Sequence, residues 1–197
     1  MMIAINWNML ILQTLARPAE AAKALIGLRL APMALWIALL LVAVLNAFLF
    51  ALSGVLLPPP PEFAAMLPSP VFFLLIVTIT LVLSVVAVHR AGRMIGGAGT
   101  LEDILVLVVW LQALRLGVQV LALVLALAVP PLSALVVFAA LFYGIFIMLH
   151  FINQAHGFGS LLRAAGVLIV SALVGLLAVS QLLSLVGSSI LEAPVHV

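Results

Sequence analysis

The chain contains no cysteine, a single tyrosine and very little charge, only 6% of its residues being Asp, Glu, Lys or Arg. The lack of cysteine excludes disulfides, thiolate metal sites and a cysteine nucleophile. The lack of charge excludes an ordinary water-soluble domain, in which about a quarter of residues are charged. A net charge of +2 gives no reason to expect nucleic acid as a partner. What the chain has in abundance is apolar surface: 68% of its 197 residues are hydrophobic, and the mean hydropathy is +1.52. The expected solvent is lipid.

Acids are also missing from the long apolar runs. Glu20, Glu62, Glu102, Asp103 and Glu192 all fall in loops, tails or helix ends. Ion- and proton-coupled carriers usually place carboxylates in their path. Their absence argues against a proton-driven transporter but leaves room for a passive pore or a carrier of neutral solutes. No metal site or cofactor is expected. His150 and His156 are six apart, on different faces of a helix, there is no HExxH, and no acid completes a cluster. The stretch GRMIGGAGT has the Gly92-to-Gly97 spacing of a phosphate loop, but Ala98 stands where the lysine is needed and no strand precedes it. Ser160 lies outside any GxSxG elbow and suits the N-cap of a helix. No catalytic residue is assigned.

Prolines, glycines and charges divide the chain into five apolar spans, at about 32–57, 70–88, 101–129, 132–152 and 161–186. Residues 1–30 precede them, and a short tail, 188–197, follows. Thr100 and Asp103 have capping-box spacing at the start of the third span. The turn at Pro130-Pro131 is so short that spans three and four must form a tight antiparallel pair. The expected fold is all-α: a polytopic integral membrane protein with five transmembrane helices and an N-terminal interfacial amphipathic segment.

The basic residues orient this fold. Arg17, Lys23 and Arg29 precede span one, Arg90 and Arg93 lie between spans two and three, and Arg163 lies between spans four and five. The three alternate segments, PPPPEFAAMLPSP, the Pro130 turn and the tail GSSILEAPVHV, hold neither Lys nor Arg. This alternation places the N-terminus in the cytoplasm and the C-terminus outside. Arg29, Arg90, Arg93 and Arg163 are then candidate inner-face lipid contacts, although the positive-inside pattern alone would also put them there. Within residues 1–30, Asn6, Gln13, Arg17 and Glu20 fall on one helical face, while Ile3, Trp7, Leu10, Ile11 and Leu15 cover much of the rest. Two readings stay open: a helix lying at the headgroups, or a lid packed on the bundle.

One charge breaks the pattern. Arg115 sits within WLQALRLGVQVL, with Gln112 and Gln119 on the same helical face. A helix over 101–129 would be about 43 Å long against a hydrocarbon core near 30 Å, so the depth of Arg115 stays open. No intramembrane acid can neutralise it, so its expected partners are dipoles: Asn46, the glutamines, Thr78 or backbone carbonyls. Tyr143 and His150, on nearly one face of span four, complete a candidate polar cluster of Arg115, Gln112, Gln119, Asn46, Tyr143 and His150. Interhelical hydrogen bonding accounts for the other polar stripes, such as Thr78, Thr80 and Ser84, and small-residue spacings such as Ala140/Gly144 permit close helix packing.

The chain resembles the bacterial branch of the YIP family, the Ypt/Rab-interacting-protein membrane domain. The resemblance covers roughly the whole chain. It is carried by LARPAEAAKAL before the Trp-containing APMALWIALL, by the inner loop GGAGTLEDILVLVVW, and by AHGFGSLLRAAGVLIV leading into span five. It implies a five-span helical fold, a cytosolic N-terminus and no enzymatic activity. Eukaryotic relatives are associated with Rab GTPases, vesicle traffic and membrane shaping. A Rab-type GTPase is not expected in bacteria, and the long hydrophilic N-terminal region of many eukaryotic members is absent. The expected protein is a non-enzymatic scaffold of the bacterial inner membrane. Its partners are lipid and either a second copy of itself or another membrane protein. The alternative is a small-solute or anion transporter or channel with a polar cavity around Arg115.

Overall fold

The computed structural model describes residues 6–64 and 67–191, all helical or in short connections. Two short helices, α1 (Trp7–Ala16) and α2 (Pro18–Gly27), precede α3 (Pro32–Leu56). A single turn, α4 (Pro61–Ala64), links α3 to α5 (Pro70–Met94). The last three helices are α6 (Leu101–Ala128), α7 (Pro130–His156) and α8 (Leu161–Leu191). Among the described residues, five helices (α3, α5, α6, α7 and α8) are long and apolar enough to cross a membrane.

Proline sets most of the helix starts. Pro18, Pro32, Pro70 and Pro130 each stand in the first turn of a helix, where the missing N–H costs nothing and the fixed φ is already helical. For this reason Pro130 and Pro131 belong to α7 itself, and the turn between α6 and α7 shrinks to Val129. Side-chain caps complete other starts. Asn6 accepts from the Met9 N–H, Ser69 accepts from the Phe72 N–H, and Thr100 and Asp103 form the reciprocal capping box. The helix α5 runs past the expected stop at Val88 to Met94, because His89, Arg90 and Arg93 are good enough helix residues once they leave the lipid. At its far end α7 continues past Ile152 to His156, where Gly157 takes the left-handed conformation at φ 66° and returns its N–H to the Asn153 carbonyl.

The bundle has two unlike halves. One end carries the glycine-rich loop 95–100 and the turn 157–160; the other carries the prolines at 58–61 and Val129. In the glycine-loop half, five consecutive residues of α6, Ile104–Val108, are all buried. Five residues go more than once around a helix, so α6 is enclosed on every side there. Val85 and Val88 of α5, Phe151 and Ile152 of α7, Ala164 and Val167 of α8 and Leu35 and Leu39 of α3 join the same core. In the proline-end half, only Leu116 and Ala122 of α6 are buried. Large apolar side chains cover the outside, including Leu40 and Phe48 on α3, Phe138 and Phe142 on α7 and Leu176 and Leu177 on α8. A surface of this kind fits lipid.

The N-terminal pair α1–α2 docks on the flank of the glycine-loop half, against α6 and α7. Ala21, Ala22 and Leu25 of α2 are buried there, as are Leu10 and Thr14 of α1. The face turned away carries Met9, Leu12 and Leu15, all exposed. The segment therefore packs on the bundle, as a lid would, and its outer face is apolar.

Several polar side chains inside the spans bond within their own helices. Asn46 donates to the Val42 carbonyl, Ser84 to Thr80 and Ser171 to Val167. These are the back-bonds to the preceding turn that short polar side chains make in helices. Interhelical bonding is found at Tyr143, and also at Thr14, Trp110 and Ser133, which lie outside the stripes.

Candidate functional site

Where the proline-end half loosens, α3, α6 and α7, with one residue each from α5 and α8, line an open-sided cavity of about 660 Å³. Small side chains create the space. Ala140 and Gly144 of α7 line it, and a Cβ added at Gly144 would meet nothing within 4 Å. The spacing of this pair permits close helix packing, but here the two residues face open space. The lining is mainly apolar. Leu111, Met148 and Leu168 close the end nearest the packed core, and all three also pack against it. Phe50 and Phe73 stack at 4.2 Å between α3 and α5 and form part of the wall.

The polar lining consists of Arg115 and Gln119 of α6, Asn46 and Ser53 of α3 and Ser133 of α7. The amide of Asn46 and the hydroxyls of Ser53 and Ser133 already donate to backbone carbonyls, those of Val42, Phe50 and Ala122. Arg115 differs from them. Among the described residues, no hydrogen bond or ion pair engages its guanidinium, and no acid lines the cavity. The side chains of Arg115 and Gln119 are exposed to the space beside them. Of the six residues expected to cluster, the structure brings three together: Arg115, Gln119 and Asn46. Gln112 and Thr78 do not line the cavity.

Tyr143 and His150 serve other purposes. The Tyr143 hydroxyl donates to the Leu15 carbonyl and so ties α7 to the end of α1. His150 packs edge-on against Phe146 at 4.6 Å. A second tie joins α1 to α6. The Trp110 indole N–H donates to the Thr14 hydroxyl at 2.9 Å, and Thr14 in turn donates to the Leu10 carbonyl. Trp7 stacks on Trp110 at 5.9 Å. These contacts span about a hundred residues of sequence, and nothing in the pattern of either segment signals them.

At the glycine-loop end, His156 is almost fully buried, with neither ring nitrogen bonded among the described residues. Glycines make room for its ring. A Cβ at Gly92 would overlap the imidazole, one at Gly97 would lie 2.6 Å from Nδ1, and one at Gly99 would lie 2.9 Å from Nδ1. The ring stacks on Phe158 at 5.2 Å, and the His156 carbonyl accepts from the Ala98 N–H. Asn153 holds the following turn, its side-chain oxygen accepting from the Ser160 N–H just before α8.

In comparison with known families, the model of the Yip1 domain matches residues 12–182. The chain belongs to the Yip1 domain family. No curated protein and no solved structure matches it. Yip1-family proteins are generally non-enzymatic membrane proteins. Among the described residues, no group of His, Asp and Glu could hold a metal.

In this Yip1-domain chain the two segments that carry the resemblance most specifically, the glycine-rich loop and AHGFGS, meet around the His156 ring. The signal for that contact was present in the sequence as glycines at 92, 97 and 99 and a histidine before a Gly-X-Gly turn. Arg90 and Arg93 lie beside this knot and line a smaller cavity of about 330 Å³ with His89 and Leu101. Arg29 and Arg163 are exposed but do not line it.

Proposed function

We propose that this Yip1-domain protein is a non-enzymatic scaffold that shapes the membrane from its cytoplasmic side. The observation carrying this reading is the docked α1–α2 pair. It adds two helices to the glycine-loop half of the bundle, and its outer face is apolar. A protein broader in one leaflet than in the other displaces lipid unequally, and amphipathic insertions of this kind couple binding to curvature. Six of the seven basic residues, all except Arg115, belong to segments at the glycine-loop end or to the docked pair. By the positive-inside rule this end is cytoplasmic, and the C-terminus lies outside. The bacterial inner membrane is the setting that the composition favours.

The test is reconstitution of the full chain into liposomes, with vesicle diameter read by electron cryomicroscopy. The wild-type protein is expected to shift the distribution to smaller diameters. A Met9→Asp/Leu12→Asp variant, altered only on the exposed face, is expected to lose the shift while keeping its fold. Wild-type vesicles indistinguishable from protein-free ones would overturn the reading.

A second reading, the transporter or channel, draws on the cavity at Arg115. A continuous pore is disfavoured by the enclosed core at Ile104–Val108, which lies directly beyond the floor of the cavity.

A further inference from the structure

We infer that the cavity around Arg115 is a binding site for an anionic amphiphile, a molecule with one carboxylate or phosphate head and a single apolar chain. This inference goes beyond the scaffold role and rests on a different region, so either can fail without the other.

Charge complementarity identifies the head. Arg115 sits in the middle of α6, about 21 Å from its first residue by helical rise. A guanidinium within an apolar span is costly unless paired. No carboxylate lines the cavity, and no side chain or carbonyl among the described residues accepts from Arg115. Its planar fork of N–H donors is free and matches two oxygens of a carboxylate or phosphate. Gln119, one turn further along the same face, adds an uncommitted amide. The dipoles expected to anchor Arg115 do not do so: among the described residues it makes no hydrogen bond to Asn46, Thr78, a glutamine or a backbone carbonyl.

The cavity's shape and lining identify the chain. From Arg115 the lining continues along α6 through Ala122 to Ala126, about 16 Å towards the proline end. Most of that surface is apolar, and its volume falls in the range of pockets that hold small organic ligands. A free inorganic anion would leave this apolar space unused. A neutral lipid chain would leave Arg115 unpaired. The amphiphile satisfies both. Because the floor packs against the core, the site is blind on the glycine-loop side, and the ligand enters from the proline end or from the side.

The experiment uses the full chain in phosphatidylcholine nanodiscs with a diazirine-bearing dodecanoate as a photoprobe, crosslinked peptides being mapped by mass spectrometry. Labelling is expected on α6 and α7 residues that line the cavity. Excess dodecanoate or dodecyl phosphate should suppress it at least tenfold better than dodecanol, and inorganic phosphate should not compete. Whichever of the two anionic competitors is stronger identifies the head. Arg115→Gln is expected to abolish the preference for the anion over dodecanol, and Arg115→Lys to keep part of it. Should Arg115→Gln fail to fold, Gly144→Leu tests the same site, since it fills open space without touching the charge. It should lower cavity labelling at least tenfold with an unchanged elution profile. Equal competition by dodecanol, competition by inorganic phosphate, labelling outside the cavity, or undiminished labelling in Gly144→Leu would each overturn the assignment.

Discussion

The two halves of this bundle are built from the same five helices and similar residues, yet one is packed around α6 and the other opens around a cavity. In the glycine-loop half, small residues let large ones in: Gly92, Gly97 and Gly99 give way to the His156 ring, and Ala21 and Ala22 let α2 sit against the bundle. In the proline-end half, Ala140 and Gly144 face space that nothing among the described residues fills. The lesson is that a small residue in a membrane helix is a permission. Whether a side chain, another helix or a ligand uses it depends on what the neighbouring helices present.

The contrast can be broken most sharply at two phenylalanines of one helix. Phe151 is fully buried and Phe138 is 63% exposed. Phe151→Ala is expected to lower unfolding free energy by about 3–5 kcal/mol, as for other fully buried aromatics. Phe138→Ala should stay within about 0.5 kcal/mol of wild type, as at other exposed positions. Denaturation by SDS in mixed micelles would check both; similar costs would erase the distinction between the halves.

The next effect compares two glycines. Gly92→Ala forces a methyl group into the His156 ring, at a cost of about 1–3 kcal/mol for overpacking. Gly144→Ala meets nothing, so it should be neutral or stabilising by up to about 1 kcal/mol through helix propensity. Thermal melts in a mild detergent should separate the two, and a double variant Gly92→Ala/His156→Ala should recover part of the loss if the clash is the cause.

Smaller effects sharpen the boundary of the packed half. Thr14→Val leaves the Trp110 indole N–H without its acceptor, which should cost roughly 1–2 kcal/mol and shift tryptophan emission as α1 loosens. Ser133→Ala removes one bond to the Ala122 carbonyl in the open half, at about 0.5–1 kcal/mol, with no change in emission. Equal emission shifts for both would mean that α1 is not docked on α6 as described.

Legibility in the sequence followed the range of the interaction. The five spans, the capping box at Thr100 and Asp103 and the proline starts are local, each set by a few adjacent residues and by hydropathy. Their ends were less legible. The stop at Val88 follows from the first charged residues, but a helix can continue past its apolar run, and α5 continues to Met94. The site was legible only in part. Arg115, Gln119 and Asn46 face one cavity, whereas Gln112 on the same helix does not line it, because a helical face is wider than a cavity wall. Tyr143 was grouped with them by polarity, but its hydroxyl had a carbonyl to bond 128 residues away in sequence.

By itself, then, the sequence determined the solvent, the number of spans and the segregation of basic residues, because hydropathy and charge act on each segment separately and without reference to its neighbours. Only the tertiary structure decided that residues 7–27 dock on α6 and α7, that three glycines cradle His156, and that Arg115 faces an apolar cavity without a partner among the described residues. Each of these is a meeting of surfaces far apart in the chain, and in lipid no difference in hydrophobicity steers such meetings. Shape and the few available hydrogen bonds do.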